Sequence, residues 1–330
     1  MNSWKVVITD YEFSSLEIEE DVFDGHNIEF IKAQCKTEDE VIEACKDADA
    51  ILNQYAPITS NVIASLGKCR VIARYGVGVN TIDLKAASSK GIHVCNVTDY
   101  CKDEVSDHAL SLMLAAARKI SLLNHSVKNL NWDYKQSIPI YRIRGRKLGL
   151  VGFGNIPQML AIKAATLGLA VYAYDPYASK ELADHHDVKL VDLDTLCGIS
   201  DFISIHAPLT NETEGMISTE QFKQMKKDAF VINTARGSII DEEALIEALD
   251  NNRIHGAALD VIEKEPLEVN NPLTGYSNVI LTPHVAWYSE ESQAELKQKT
   301  AQNVLDVLLG NKPKYFVNER MIKEAVSDES

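Results

Sequence analysis

Short runs of β-branched and apolar residues alternate with segments of helical periodicity along the whole chain. This alternation is typical of α/β proteins with parallel sheets. Between the first runs lie the helix candidates TEDEVIEACKD and TSNVIASLGK, in which Thr37 and Thr59 are suited to cap the helix N-terminus. The first set of predicted strands comprises KVVITD, IEFIKAQ, AILNQY, RVIARYG and IHVCNV.

A second set of strand patterns begins near residue 147 and predicts a second sheet. A long amphipathic helix candidate, residues 103–120, precedes this set, and a polar segment with a tryptophan then runs to Ile143. A second long helix candidate, residues 289–311, follows the set and ends at Gly310 and Asn311. Helices in these places suit connections between two domains, with the end of the chain returning to the first. The strands of the second set are KLGLVGF, AVYAYD, VKLV, DFISIHA, FVINTA, GAALDV and NVILTPH.

Length and charge narrow the classes of function. A chain of 330 residues exceeds the size at which one hydrophobic core usually stops growing, so two domains are expected. Its 48 acidic and 33 basic residues give a formal charge of -15, which disfavours nucleic acid and membrane surfaces as partners. Because the sequence shows no apolar stretch of bilayer length and no signal-peptide pattern, we expect a cytoplasmic protein.

The cysteines predict neither disulfides nor a metal site. All six are scattered, and none stands in a C-x-x-C pattern or at zinc-binding spacing from a histidine. We therefore expect reduced thiols that belong to the core.

The stretch LVGFGNIPQM predicts a turn that binds the phosphates of a dinucleotide. It lies between a strand and a helix candidate, the context that makes a G-x-G pattern informative. Gly152 permits the tight turn, Gly154 lets the backbone approach a pyrophosphate, and the amides of Asn155 and Ile156 would bind it. Pro157 replaces the third glycine of this pattern, but its missing N–H falls in the first helical turn, where it is tolerated. Because the residue before a proline avoids helical geometry, we expect the helix to begin late or to lie slightly farther out.

Asp175 closes the next predicted strand. At this place a carboxylate can accept hydrogen bonds from both hydroxyls of an adenosine ribose. The alternative is a turn residue before Pro176. The glycine pattern upstream favours the ribose, and therefore NAD as the cofactor.

Three side chains that follow strands of the second set carry candidate chemistry. Arg236 stands in NTARGSIID, Glu265 in ALDVIEKEP and His284 in LTPHVAWYS. Because ligands of open α/β sheets bind beyond the carboxyl ends of the strands, these side chains are predicted to converge. Each has a structural alternative: the arginine could pair with Asp241, the glutamate is one of several acids in a loop, and the histidine could belong to the core.

Together these residue types suit the reduction of a 2-oxo acid. Hydride addition to the carbonyl carbon requires a proton for the oxygen, and a protonated histidine can donate it near neutral pH. Glu265, bonded to the other nitrogen of the His284 ring, would fix the tautomer and favour the charged imidazole. Arg236 offers a planar fork to carboxylate and carbonyl together, which lysine cannot reproduce.

The chain resembles the D-2-hydroxyacid dehydrogenase family over almost its whole length, most of all the branch that contains the C-terminal-binding-protein corepressors and their bacterial relatives. The motifs are RYGVGVNTID, GFGNIPQ, NTARGSIIDEEAL, GAALDVIEKEP and TPHVAWYSEES, in this order. The resemblance implies two doubly wound parallel-sheet domains and a homodimer built through the nucleotide domain. Residues 1–101 and 289–330 would form a flavodoxin-like substrate or lid domain, and residues 102–288 a Rossmann NAD-binding domain. Pro157 and the stretch EVSDHAL, where the family more often has Val-Ala-Glu, depart from the pattern.

The resemblance also implies roles for individual residues. The catalytic residues would be Arg236, Glu265 and His284. The amides of Val77 and Gly78 would bind the substrate carboxylate, and Asp260 would contact the nicotinamide carboxamide. We also place in the cofactor site Val105, Pro208, Thr234 and Ala235. In the substrate site we place Tyr55 and Trp287.

The first interpretation is an NAD-dependent D-2-hydroxyacid dehydrogenase that reduces a small 2-oxo acid. The loop LNQYAPIT contains no cation for a phosphate, whereas relatives that act on phosphoglycerate carry an arginine there. An unphosphorylated acid is therefore favoured, with pyruvate (giving D-lactate) first and glyoxylate and hydroxypyruvate next. The alternatives are an NAD-sensing, corepressor-like interaction protein, a phosphoglycerate dehydrogenase, and another Rossmann enzyme such as a hydrolase that only borrows the cofactor.

Overall fold

The computed structural model describes residues 3–328. The chain divides into two compact units. Unit 1 comprises Met1–Tyr100 and Ser289–Ser330, and unit 2 comprises Cys101–Tyr288. Within residues 3–328 each unit contains one sheet, with five strands in unit 1 and seven in unit 2.

All strands of the two sheets pair in parallel. Within residues 3–328 the strands are β1 (Trp4–Ile8), β2 (Ile28–Lys32), β3 (Ala50–Asn53), β4 (Val71–Arg74), β5 (His93–Cys95), β6 (Lys147–Val151), β7 (Ala170–Tyr174), β8 (Lys189–Leu190), β9 (Phe202–Ile205), β10 (Phe230–Asn233), β11 (Gly256–Leu259) and β12 (Val279–Leu281).

Helices connect the strands and cover both sheets. In the same part of the chain the α-helices are α1 (Glu17–Phe23), α2 (Glu38–Cys45), α3 (Ser60–Ser65), α4 (Leu84–Ser89), α5 (Lys102–Ala117), α6 (Ile120–Lys128), α7 (Asn155–Thr166), α8 (Lys180–His185), α9 (Leu193–Ile199), α10 (Thr219–Gln224), α11 (Glu242–Asp250), α12 (Glu290–Leu308) and α13 (Glu319–Asp328).

The strand orders confirm the predicted fold class. Unit 1 has the order β2-β1-β3-β4-β5, which is the flavodoxin-like arrangement. Unit 2 has the order β12-β11-β10-β9-β6-β7-β8, which is the Rossmann arrangement extended by one strand at the β12 edge. Both are doubly wound sheets whose ligand sites are expected beyond the carboxyl ends of the strands.

Most strands are apolar because both faces of each sheet are covered, whereas the edge strand β2 also contains Glu29 and Lys32. In β6, Leu148 and Leu150 pack into one core cluster and Val151 into another, on the opposite face. Helix starts follow local chemistry, as predicted: the side chain of Thr37 accepts the N–H of Glu40 in a capping box, and that of Thr59 accepts the N–H of Val62 at the start of α3. Burial on both faces explains why these strands read as continuous apolar runs.

Two helices depart from the predicted boundaries. The helix expected over residues 103–120 ends at Ala117, because Lys119 adopts a left-handed backbone conformation with φ of 54°. A separate helix, α6, then occupies part of the polar segment that follows it. The expectation that the helix after the glycine turn begins late is also wrong. Helix α7 begins at Asn155, directly after Gly154, and Pro157 is buried in its first turn, where an N–H has no partner within the helix.

None of the helices within residues 3–328 is long and apolar enough to cross a bilayer. Five of the six cysteine side chains are buried, and Cys69 is partly buried. Burial raises the pKa of the thiols of Cys45, Cys95 and Cys197 to about 12, so these side chains are neutral core groups.

Candidate active site

Three neighbouring strands of unit 2 lead into the loops that carry the predicted catalytic residues. Arg236 follows β10, Glu265 follows β11 and His284 follows β12, and these strands are adjacent and parallel. The first two loops are in close contact at Gly237, where an added Cβ would lie 1.9 Å from the carbonyl carbon of Ile262. A larger residue there would separate the two loops. Because Gly237 has no side chain, the backbone beside Arg236 can lie directly against the loop that carries Glu265.

Glu265 and His284 form a hydrogen-bonded pair. Oε2 of Glu265 lies 2.7 Å from Nδ1 of His284, and the two side chains are 37% and 43% exposed. Burial acts to raise the pKa of the Glu265 carboxyl, but the hydrogen bond and charge of His284, the N–H of Ile262 and the charge of Arg236 together lower it below its ordinary value. Because Nδ1 is engaged by the carboxylate, Nε2 is the ring nitrogen that can face a substrate.

The backbone of His284 is held in an uncommon conformation. Its φ is 52°, in the left-handed region that non-glycine residues seldom adopt. The N–H of His284 donates to the carbonyl oxygen of Asp260 at 2.8 Å. The carboxylate of the same Asp260 accepts the N–H of Val285 through Oδ1 and the N–H of Ala286 through Oδ2, both at 2.9 Å. One buried residue therefore fixes three consecutive peptide units around the histidine.

Two further residues, which the sequence did not predict to be functional, complete the hydrogen-bond network of Asp260. The hydroxyl of Thr282 donates to Oδ1 of Asp260 at 2.6 Å, and Nε2 of His108 lies 3.0 Å from the same hydroxyl. Asp260 is 2% exposed, and both of its oxygens are engaged within the protein. Its contact with the nicotinamide carboxamide stays a prediction. The threonine stands two residues before His284 in the motif LTPH, but its role could not be predicted from the motif, because only the fold brings it to Asp260.

The loop of Arg236 is fixed by a buried asparagine. The side chain of Asn233, which is fully buried, donates to the carbonyl oxygen of Arg236 at 2.9 Å and accepts the N–H of Ala235 at 3.0 Å. The guanidinium of Arg236 donates to the carbonyl oxygen of Ala235 at 2.6 Å. Arg236 is half-buried, so its remaining donors can reach a ligand while the loop itself stays in one conformation.

The glycine turn has the shape that a bound pyrophosphate requires. Gly152 has φ of 94°, and an added Cβ would lie 2.9 Å from the backbone nitrogen of Ala207. An added Cβ on Gly154 would meet nothing within 4 Å, so open space lies at the start of α7. The amides of Asn155 and Ile156 stand in the first turn of this helix, where no carbonyl of the helix reaches them. These observations fit the phosphates of NAD.

Asp175 has the turn role that the sequence left open, and its contact with the ribose stays a prediction. Its Oδ1 accepts the N–H of Tyr177 at 2.8 Å, as a turn residue before a proline would. Its Oδ2 accepts the N–H of Phe153 at 2.8 Å and so ties the end of β7 to the glycine turn. Each carboxylate oxygen has a second acceptor position, which leaves capacity for ribose hydroxyls.

The other predicted cofactor residues lie at different places in unit 2. Val105 is buried on α5, Pro208 is exposed after β9, and Ala235 is partly buried after β10. Thr234 also follows β10, and its Oγ1 is buried with no hydrogen-bond partner among the described residues. A buried hydroxyl of this kind is the polar group that a bound ligand would satisfy.

In unit 1 three predicted substrate residues share one sheet edge. Tyr55 follows β3, while Val77 and Gly78 follow the neighbouring β4, and the N–H of Tyr75 donates to the carbonyl oxygen of Asn53 at 2.8 Å. Tyr55 and Val77 are exposed. The fourth, Trp287, belongs to unit 2, where its ring packs edge-to-face on Tyr288.

Comparison with known proteins decides the family. Residues 110–286 match the sequence model described as "D-isomer specific 2-hydroxyacid dehydrogenase, NAD binding domain". The chain belongs to the D-isomer specific 2-hydroxyacid dehydrogenase family. The predicted family and the predicted cofactor, NAD, are thereby confirmed.

Individual members of the D-isomer specific 2-hydroxyacid dehydrogenase family are similar over most of this chain. A D-3-phosphoglycerate dehydrogenase of Methanocaldococcus jannaschii is 42% identical over 86% of the chain, and a glyoxylate reductase of Korarchaeum cryptofilum is 36% identical over 86% of each protein. The NAD complex of a D-isomer specific 2-hydroxyacid dehydrogenase of Lactobacillus delbrueckii superposes with a TM-score of 0.79 at 26% identity, covering 95% of this chain and all of the other. The chain spans about half the length of the phosphoglycerate dehydrogenase, 54% of it.

Among residues 3–328 no group of three or more His, Cys, Asp or Glu side chains is arranged to hold a metal ion.

Proposed function

We propose that this protein is an NAD-dependent 2-hydroxyacid dehydrogenase that reduces a small 2-oxo acid. The observation that carries the proposal is the 2.7 Å pair of Glu265 and Nδ1 of His284, beside a loop that carries Arg236. NADH, when bound, supplies the hydride for the carbonyl carbon. The remaining requirements are a proton donor, a group that orients the acid and a stable position for both.

His284 meets the requirement for a proton. In the protonated ring Nε2–H is the donor for the carbonyl oxygen, and the carboxylate of Glu265 stabilises the positive charge through Nδ1–H. Arg236 orients the acid, because its fork can donate to the carboxylate and to the developing oxyanion at once. The reaction consumes one NADH and one proton for each 2-hydroxy acid formed.

The cofactor would be held by the glycine turn and the strand that follows it. The first amides of α7 would donate to the pyrophosphate, next to the open space at Gly154. Asp175 would accept the ribose hydroxyls. The hydroxyl of Thr234, buried and without a partner in the described part of the chain, would be satisfied by the ligand.

We rank glyoxylate and hydroxypyruvate ahead of pyruvate as substrates. The sequence alone placed pyruvate, and thus D-lactate, first. The relative from Korarchaeum cryptofilum that is named a glyoxylate reductase matches this chain over 86% of both lengths, which favours a short 2-oxo acid of that kind.

A second candidate substrate is the phosphorylated acid that a phosphoglycerate dehydrogenase uses. The loop with Tyr55 has no cation, but the guanidinium of Arg74, at the end of β4, lies against Gly76. Loss of hydration raises the pKa of the Tyr55 hydroxyl, and the charge of Arg74 acts in the opposite direction, so the arginine is close enough to influence that loop. The 42% identity to a protein named D-3-phosphoglycerate dehydrogenase points the same way.

A substrate panel with NADH tests both candidates. Glyoxylate, hydroxypyruvate, pyruvate and phosphohydroxypyruvate would be compared by kcat/KM. The highest value with an unphosphorylated acid supports the first candidate. The highest value with the phosphorylated acid, together with a loss confined to that acid in Arg74→Leu, supports the second. If no acid causes steady NADH oxidation, the enzyme proposal is wrong, and an NAD-sensing interaction protein becomes the better hypothesis.

We also propose a cytoplasmic homodimer that associates through unit 2. One segment of this unit, residues 120–141, contains an unusual number of exposed apolar side chains, which favours an interface. Light scattering should give twice the chain mass, and Trp132→Asp with Tyr134→Asp should shift it towards the monomer. Val269→Asp, at a position 96% exposed outside this segment, is the control that should leave the mass unchanged. The exposed side chains of the segment are Ile120, Val127, Leu130, Trp132, Tyr134, Ile138 and Tyr141.

A further inference from the structure

A buried charged cluster in unit 1 includes Tyr75, which stands two positions before Val77 in the same loop. It consists of Glu19 on α1, Tyr75 after β4 and Lys297 on α12, which are 0%, 3% and 5% exposed. The hydroxyl of Tyr75 donates to Oε1 of Glu19 at 2.9 Å, and Nζ of Lys297 lies 3.5 Å from Oε2. Three distant segments of the chain therefore meet at one carboxylate.

The lysine of this cluster is held on several sides. Nζ of Lys297 donates to the carbonyl oxygen of Ser15 at 2.5 Å and lies over the ring of Phe13, 5.3 Å from its centroid. The same ring packs edge-to-face on Tyr75, with 5.0 Å between centroids. These contacts restrict Lys297 and Tyr75, the two side chains that face the carboxylate of Glu19.

Stability alone does not account for such a cluster. Two charges lose their hydration when they are buried, and apolar residues of similar volume often stabilise a fold as well or better. Burial raises the pKa of Glu19, although Lys297 and Tyr75 act in the opposite direction. Buried charged groups are retained in some proteins because they fix one arrangement of the chain.

The arrangement that this cluster fixes is the turn after Tyr75. On its far side the turn is held by two hydrogen bonds: the N–H of Val97 donates to the carbonyl oxygen of Gly76 at 2.9 Å, and the side chain of Asn96 donates to that of Val77 at 2.6 Å. On its near side the anchored hydroxyl of Tyr75 is the matching restraint. The backbone between these restraints includes the amides predicted to bind the substrate carboxylate.

We propose that Glu19 and Lys297 are positioning residues, which act through the hydroxyl of Tyr75 to hold the amides of Val77 and Gly78 in the orientation that binds the substrate. This inference rests on the proposed function, since it requires a 2-oxo acid at that loop. Backbone donors bind an anion well only when they are aimed before it arrives, because a mobile turn must lose conformational freedom on binding. Loss of the anchor should therefore weaken substrate binding more than it slows the chemical step.

Tyr75→Phe is the first test, because it removes one oxygen and keeps the ring. KM for the 2-oxo acid should rise by about three- to tenfold, while kcat stays within about twofold and the Kd of NADH is unchanged. Tyr276→Phe is the matched control: it removes a tyrosine hydroxyl that donates to Asp250 at 2.7 Å, and it should leave KM unchanged.

A double substitution, Glu19→Leu with Lys297→Met, tests whether the tyrosine acts through the carboxylate. It removes both charges together, so the fold should be retained, and KM should rise as in Tyr75→Phe. Tyr75→Phe in this background should add nothing further, because coupled residues are not additive. A wild-type KM in Tyr75→Phe, or additive effects in the triple variant, would overturn the inference while leaving the proposed function intact. Failure of the wild-type protein to oxidise NADH with any 2-oxo acid would instead refute the proposed function.

Discussion

Two glutamates of this protein each lie beside a side chain that can carry a positive charge, yet the pKa values of their carboxyls move in opposite directions. The pKa of Glu265 is lowered, whereas burial raises the pKa of Glu19. Glu265 is 37% exposed and lies 2.7 Å from the ring of His284. Glu19 is fully buried, and its distance to Lys297 is 3.5 Å.

The difference shows that a neighbouring cation does not by itself decide the charge of a carboxyl group. At Glu265 burial also acts to raise the pKa, but the short hydrogen bond and charge of His284, with the N–H of Ile262 and the charge of Arg236, together outweigh it, so the charged form is favoured. Glu19, in a dry interior, loses the free energy of hydration of its charge, and the longer contact with Lys297 compensates for only part of that loss. The first arrangement suits a pair that exchanges a proton with a substrate, and the second suits a pair that holds the chain in place.

The largest expected effect is on stability and falls on the buried pair. Lys297→Met leaves the charge of Glu19 buried without its partner, which should lower the free energy of unfolding by about 3–5 kcal/mol. Glu265→Gln breaks a partly exposed pair and should lower it by less than about 1 kcal/mol. Urea titrations of the two variants measure both values. Equal losses would break the comparison, since burial would then make no difference.

Arg236→Lys should have the next largest effect, on catalysis. The positive charge is kept, but the planar fork that binds carboxylate and carbonyl together is lost. We expect kcat/KM to fall, and the fall should correspond to a loss of about 2–4 kcal/mol in transition-state stabilisation. The free energy of unfolding should change little. Steady-state kinetics with the best acid of the panel measure this loss. An unchanged kcat/KM would show that Arg236 only supports the loop after β10.

Local patterns of sequence were sufficient for most of the fold. Both sets of predicted strands were found, because strands covered on both faces are continuous apolar runs that are easily recognised. The two threonine caps at Thr37 and Thr59 were found because capping depends on residues three positions apart. The division between α5 and α6 was missed, since nothing in the sequence near Lys119 marks a left-handed residue.

The site was predictable only as far as its chemistry resides in local motifs. The bond between Glu265 and His284 was expected from the needs of a proton donor, and it is present. The hydrogen bonds of Asp260 to the backbone around His284 were not expected, because their partners come together only when β11 and β12 pair. The cluster of Glu19 was missed for the same reason, as Lys297 lies near the opposite end of the chain.

Asp175 is a third carboxylate, partly buried and engaged by backbone N–H groups on both oxygens. A 2′-phosphate on the ribose would add like charge about 5 Å away, at about 3 kcal/mol per unit charge for an effective dielectric constant of 20. NADH should therefore be preferred over NADPH by about a hundredfold. In Asp175→Ala the difference in kcat/KM between NADH and NADPH should narrow, mainly through better use of NADPH. Loss of the hydrogen bond to Phe153 will also weaken the binding of both cofactors. Equal use of both by the wild-type protein would leave Asp175 as a turn residue alone.

The smallest expected effect is a shift in pH dependence, and it tests the proton-exchanging member of the comparison. The carboxylate of Glu265 lies 2.7 Å from Nδ1 of His284, so it can hydrogen-bond the protonated ring that donates to the substrate. Reduction requires this protonated form, so the rate should fall as the pH rises and the ring loses its proton. Glu265→Gln removes the negative charge beside the ring, so the alkaline limb of kcat/KM should move to lower pH. Tyr75→Phe, which touches only the positioning cluster, should leave the limb where it is. A limb that stays in place in Glu265→Gln would show that the 2.7 Å contact orients the ring without stabilising its charge.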